Sequence, residues 1–179
     1  MIDPAIARLL CVAAGLVFVT GARSKWRERE LFAAAMENYD LIPSVAVPSA
    51  SRLLIVTEFL LGGLLLVPLF KPWPQIAGVG LLLLVTFAVV INLLRGRDHI
   101  SCGCGGASGD QTLSWALVAR NLVFAGLLAW AATGTTGRAL MWLDYLVVLA
   151  GAAMLAGLYA AASQLIANQP RLAALRDGT

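Results

Sequence analysis

Five long apolar stretches constrain this chain more than any other feature. A membrane-spanning helix needs about 20 mostly apolar residues, and stretches at residues 4–21, 52–70, 75–94, 113–133 and 140–162 meet that length. The third contains no charged residue, and the others carry Arg8, Glu58, Arg120 and Asp144 respectively. Together they use more than half of the 179 residues, so one integral membrane domain over 1–179 is expected, with no second soluble domain. Composition agrees. Apolar residues make up 60% and charged residues 13%, too little charge to cover a water-soluble surface or to favour disorder. The first stretch could be taken for a signal peptide. It lacks a basic start and is longer than the usual apolar core of one, so cleavage is not expected. No nucleic-acid partner is expected; the lipid bilayer is.

The connections differ. Lys71-Pro72-Trp73-Pro74 and Gly134-Thr135-Thr136-Gly137-Arg138 are short and chemically plain. Loop one follows the first stretch and loop three follows the third, so the two share a side of the membrane. In loop one, Leu31, Phe32, Ala35, Met36 and Tyr39 recur at helical spacing. An amphipathic helix at about 28–40 is therefore expected at the interface, either as a packed connector or as a lid over loop three.

Loop three carries His99-Ile100-Ser101-Cys102-Gly103-Cys104-Gly105-Gly106. Histidine occurs once and cysteine three times, so redox or metal chemistry must use Cys11, Cys102 or Cys104. Cysteines two residues apart can approach within disulfide range when the backbone bends, and Gly103 allows the bend. So small a ring suits an exchanging disulfide better than a structural one. Arg95, Arg97 and His99 before the pair, and the start of the next helix after it, favour a thiolate. Three readings stay open: a redox-active dithiol, a soft-metal site using His99, Cys102 and Cys104, or an inert pair. Cys11, mid-span, is expected to be a small apolar filler or a relay thiol.

Glu58 and Arg120 lie at matching depths below the loop-one and loop-three face. A membrane-buried charge is costly unless paired. A Glu58–Arg120 ion pair is therefore expected, with Asn121 or Asn92 adding hydrogen bonds. It would either fix helix register or line a pocket under the cysteines for a quinone head group or for protons. Asp144 and Arg8 are expected to reach out to the opposite interface. Nine basic residues fall on the cysteine side: Arg23, Lys25, Arg27, Arg29, Arg52, Arg95, Arg97, Arg171 and Arg176. The positive-inside rule alone would put that face in the cytoplasm.

The chain resembles the MauE family, the methylamine-utilisation membrane proteins related to DoxX-type proteins. The resemblance rests on five elements: Gly21-Ala22-Arg23-Ser24-Lys25-Trp26-Arg27, Tyr39-Asp40-Leu41-Ile42-Pro43, Glu58, Arg95-Gly96-Arg97 leading into Cys102-Gly103-Cys104-Gly105-Gly106, and Arg120-Asn121. The family's usual form has Phe where Gly105 stands, a departure that leaves both cysteines intact. The resemblance implies a role in maturing the disulfide-rich small subunit of methylamine dehydrogenase, together with a periplasmic thioredoxin-like partner similar to MauD. The layout also looks like vitamin K epoxide reductase, a four-helix bundle with a cysteine pair at the start of its fourth helix, here with a fifth transmembrane helix added. In that family thiols pass electrons to a quinone. The resulting expectation is a membrane thiol–disulfide redox protein, a thiol:quinone type of oxidoreductase, with Cys102 and Cys104 as the exchanging pair. Glu58 and Arg120 would line a quinone pocket, with Asn121, His99, Arg95 and Arg97 in support. A second expectation is a non-enzymatic scaffold or a copper- or zinc-binding protein. Because a cytosolic pair would be kept reduced, the cysteine loop is expected in the periplasm, against the charge count, with the protein in the bacterial inner membrane.

Overall fold

The computed structural model describes residues 2–67, 72–103, 112–136 and 138–177. Six α-helices account for most of them: α1 (Pro4–Arg27), α2 (Arg29–Asn38), α3 (Val47–Leu66), α4 (Trp73–Leu94), α5 (Trp115–Ala132) and α6 (Trp142–Asp177). All except α2 include a stretch long and apolar enough to cross a membrane. The molecule is an all-helical membrane bundle. Among the described residues the only bridge pairings are isolated ones, at Ile2–Thr135 and Ser101–Thr112.

Local chemistry sets the helix ends. The Asp3 carboxylate accepts from the Ala5 amide (2.8 Å) and Pro4 fills the first turn of α1. α1 then continues past its apolar stretch to Arg27, carrying Lys25 on its last turn. The end of α4 explains Arg95-Gly96-Arg97. Gly96 adopts φ +72°, its amide donates to the Leu93 carbonyl, and the Arg97 amide donates to that of Asn92. This pattern closes a helix on a left-handed glycine. It turns the chain sharply and leaves both arginines on the loop side. Ser114 caps α5 by accepting from the Leu117 amide.

α1 is the central element and packs against α3, α5 and α6; α4 packs against α5, and α2 against α3. The α1–α3 crossing is close because two glycines face each other. A Cβ on Gly15 would lie 2.9 Å from the Gly62 carbonyl oxygen, and one on Gly62 would lie 2.7 Å from Val19 Cγ2. Small residues at such crossings let backbones approach where burial from water supplies no drive. Cys11, Ala14, Phe18, Leu65, Leu128 and Ala131 form the core next to this crossing.

At the end of the bundle away from the cysteine loop, the polar side chains have fixed partners. Arg138 bridges Asp3 (3.3 Å) and Asp144 (2.9 Å), which also accepts from the Met141 amide. The Ala5 amide and Arg138 together hold the Asp3 carboxyl below its usual pKa. Arg8 donates to the Leu65 and Leu66 carbonyls at the end of α3. Asp144 and Arg8 are thus tied into the protein rather than simply extended to the interface.

Candidate functional site beneath the cysteine loop

The base of loop three is pinched shut. Ser101 and Thr112 pair in antiparallel sense and the Leu113 amide donates to the Ile100 carbonyl (3.2 Å). Cys102 stands just inside this pinch, 5% exposed, in a core with Tyr39, Val89, Leu113, Leu117 and Val118. It is disulfide-bonded. Cys104, with Gly105 and Gly106, lies outside the described residues.

Among the described residues of this loop, α2 and its C-cap Tyr39 pack against Cys102 and Gly103. Phe32, Ala35 and Tyr39 are buried, whereas Leu31 is exposed, so the buried stripe is narrower than the sequence pattern implied. The Tyr39 hydroxyl donates to the Cys102 carbonyl (3.1 Å). Burial pushes the Tyr39 pKa up, which keeps it a donor across the physiological range. Gly103 is held at φ +66°, and a Cβ there would meet Phe32 Cδ2 at 3.1 Å and the Ala35 Cβ at 3.2 Å. The glycine between the cysteines therefore does two things. It accepts a left-handed backbone, and it lets the loop lie directly on α2. The second requirement is invisible in the sequence, because α2 is some 70 positions away. Tyr39→Phe should loosen this seat by about 1 kcal/mol, about fivefold in the opening equilibrium. Reaction of the reduced cysteine loop with a small alkylating reagent should rise accordingly, and an unchanged rate would show that the bond does not hold the loop.

The loop arginines act on α2 as well. Asp40, at φ +51°, ends that helix. Arg95 donates to its carbonyl and Arg97 to its carboxylate, both at 3.3 Å. The expected role of these arginines was to favour a thiolate; their observed contacts clamp loop one onto loop three. His99 is exposed, with Asp98 as its neighbour at 3.8 Å. Among the described residues no group of three or more His, Cys, Asp or Glu side chains is placed to hold a metal.

The expected Glu58–Arg120 pair is not formed. Glu58 pairs with Lys25, and the two side chains are 8% and 11% exposed. Arg120 donates instead to Ser163 Oγ (2.8 Å) and Asn121 Oδ1 (3.2 Å). The cause is α1, which packs against both α3 and α5 and brings Lys25 to Glu58. Asn121 accepts from Arg120 with no Glu58 pair to support, while Asn92 turns back to donate to the Ala88 carbonyl (3.1 Å). Sequence reasoning missed Lys25 by ending the first helix at Gly21. The run from Ala22 to Arg27 has no helix breaker and could have signalled the extension.

Two cavities flank α2. One of about 370 Å³ lies beneath Cys102, walled by Lys25, Phe32, Met36, Leu54 and Val85. Its rim carries the exposed Leu53 and Leu84, so it opens on the lipid side between α3 and α4. Its volume is within the range of small-ligand sites. The other, about 240 Å³, is polar-edged and runs past Ser24, Glu28, Asn38, Ser101 and Gly103. Arg120 belongs to neither. It lines a different groove on α1, α5 and α6, so Glu58 and Arg120 do not share one pocket. Cys11 is buried and accepts from Gln75 Nε2 (3.4 Å), a packed interior position.

Comparison with known proteins agrees with the elements described. The family model for "Methylamine utilisation protein MauE" matches residues 3–134, from α1 to the end of α5. The chain is 38% identical over 135 residues to methylamine utilization protein MauE of Paracoccus denitrificans, covering 75% of this chain and 72% of that protein. It is 30% identical over 166 residues to MauE of Methylophilus methylotrophus, covering 92% of this chain and 87% of that protein. No solved structure gives a significant match. A five-span helical bundle whose family match takes in the α2 lid, the Lys25–Glu58 pair and the Cys-Gly-Cys loop belongs to the MauE family.

Proposed function

We propose that this chain is a membrane thiol–disulfide redox protein of methylamine utilisation. It sits in the bacterial inner membrane with its cysteine face in the periplasm. It supports disulfide formation in a disulfide-rich client, the methylamine dehydrogenase small subunit, through a thioredoxin-like partner of the MauD type. The observation that carries this reading is the position of Cys102 above an apolar, lipid-facing cavity, with a polar cleft on the other side of α2. One cysteine loop then has two approaches, from the water phase for a protein and from the bilayer for a lipid-soluble acceptor.

The exchange balances as follows. A thiolate of the partner attacks the Cys102–Cys104 disulfide and forms a mixed disulfide. The partner's second thiol resolves it, which leaves the partner oxidised and both cysteines as thiols. Two electrons and two protons have moved to the pair. A quinone held in the apolar cavity would supply the acceptor for both, which would let the Cys102–Cys104 bond re-form. Lys25, paired with Glu58, is the charged side chain on the cavity wall and the group placed to meet a quinone oxygen. Arg95 and Arg97 serve this site by holding loop one against loop three, and His99 stands exposed beside it. Lys25, one of the nine basic residues counted on this face, is buried against Glu58; the periplasmic placement rests on the oxidising compartment that an exchanging disulfide needs.

Topology gives the direct test. Intact cells treated with a permeant reductant and then a membrane-impermeant maleimide should label the wild-type chain. The Cys102→Ser/Cys104→Ser double variant, which retains Cys11, should stay unlabelled. Labelling of the wild type only after lysis would place the loop in the cytoplasm and overturn the proposal.

A further inference from the structure

Among the described residues Arg120 has no counter-charge. Its hydrogen-bond partners, Ser163 and Asn121, are neutral, and its guanidinium lies 4.8 Å from the Tyr159 ring centroid. Its Nε is buried and meets no acceptor. Among the described residues no carboxylate lies within ion-pair distance of it, and the Glu58 carboxylate is bound to Lys25. A guanidinium held in apolar surroundings is costly without an anion.

The groove below it has the form of the missing part. It measures about 330 Å³ and runs between α1, α5 and α6. Ala13 and Ala14 make its floor, and Leu127 and Leu158 stand exposed at its edge, so it is open to the bilayer. From Arg120 to Leu127 the groove follows α5 for about 10 Å, the direction an acyl chain takes. Ser163, the anchor of the guanidinium, lies two residues inside the cysteine-face end of the Trp142–Leu165 span. A cation toward the cysteine-face end of the bundle, above an apolar slot, is complementary to one molecule carrying both an anion and a chain.

We propose that this groove binds an anionic phospholipid, its phosphate on Arg120 and one acyl chain along α1, α5 and α6. The site is separate from the cysteine chemistry and does not depend on it. The test uses the full chain purified in an uncharged detergent and thermal unfolding as the readout. Phosphatidylglycerol should raise the melting temperature by several degrees; phosphatidylcholine with the same chains, and inorganic phosphate, should not. Arg120→Gln should abolish the difference between the two lipids. Leu127→Trp keeps the guanidinium but fills the slot, and should abolish it too, so the proposal stays testable if Arg120→Gln does not fold. Equal effects of both lipids, a rise with inorganic phosphate alone, or an undiminished phosphatidylglycerol effect in either folded variant would overturn it. Cys102→Ser should retain the full lipid effect, which separates this site from the redox reading.

Discussion

Cells whose only copy of the chain carries Cys102→Ser are expected to accumulate the client with free thiols and to mature it no better than cells lacking the chain. Serine is close to cysteine in size, and the Tyr39 bond is to the Cys102 carbonyl, which the substitution keeps. The loop should therefore remain seated on α2 while the exchange is lost. Cys104→Ser should behave the same way, because one sulfur cannot hold the electron pair as a dithiol. Cys11→Ser should leave maturation near normal, since Cys11 is packed in the bundle interior against Gln75. Gel-shift alkylation of the client, with immunodetection of the membrane protein as a folding control, reads all three. Normal maturation with Cys102→Ser and Cys104→Ser at normal protein levels would leave a membrane scaffold as the better description.

The second large effect is expected at Lys25. Lys25→Met should destabilise the fold by about 3–5 kcal/mol, the usual cost of removing one partner of a buried ion pair. Both side chains are largely buried, so solvent screening offsets little of this loss. The second carboxylate oxygen of Glu58 is already buried with no donor among the described residues, and Lys25→Met would leave the whole group uncompensated. The cost should extend to α2 because the Lys25 ammonium also lies 5.4 Å from the Phe32 ring centroid. Lys25→Met/Glu58→Leu should recover most of the stability, since replacing a buried pair by apolar groups is often neutral or better. Unfolding of the single and double variants in one detergent checks both statements. A single variant as stable as the wild type would show that the pair contributes nothing, and a double variant no better than the single would point to packing rather than charge.

The cysteine loop shows how far residue spacing carries. Cys102 and Cys104 stood out because the chain offers so few other reactive side chains, and Gly103 was readable as a bend. What Gly103 bends against was not readable. The tight contact with Phe32 and Ala35 depends on α2 folding back over a loop far along the chain. Arg95-Gly96-Arg97 looked like a source of positive potential for a thiolate. Its glycine ends α4 in a left-handed turn and its arginines close on Asp40, a role that depends on where loop one ends.

By itself the sequence determined that this is an all-helical membrane protein, because apolar length is a local property and a bilayer accepts helices that satisfy their own backbones. It also placed an amphipathic helix in loop one and set Glu58 and Arg120 at matching depths. Only the tertiary structure decided which charges meet. Depth fixes a residue along the membrane normal but leaves its bearing around the helix axis and its neighbours open. α1, packed against both α3 and α5, gave Glu58 to Lys25 and left Arg120 facing a separate groove. Partner choice inside a bundle follows from which helices touch, and those contacts are set by close crossings such as Gly15 on Gly62, on elements nearly fifty residues apart.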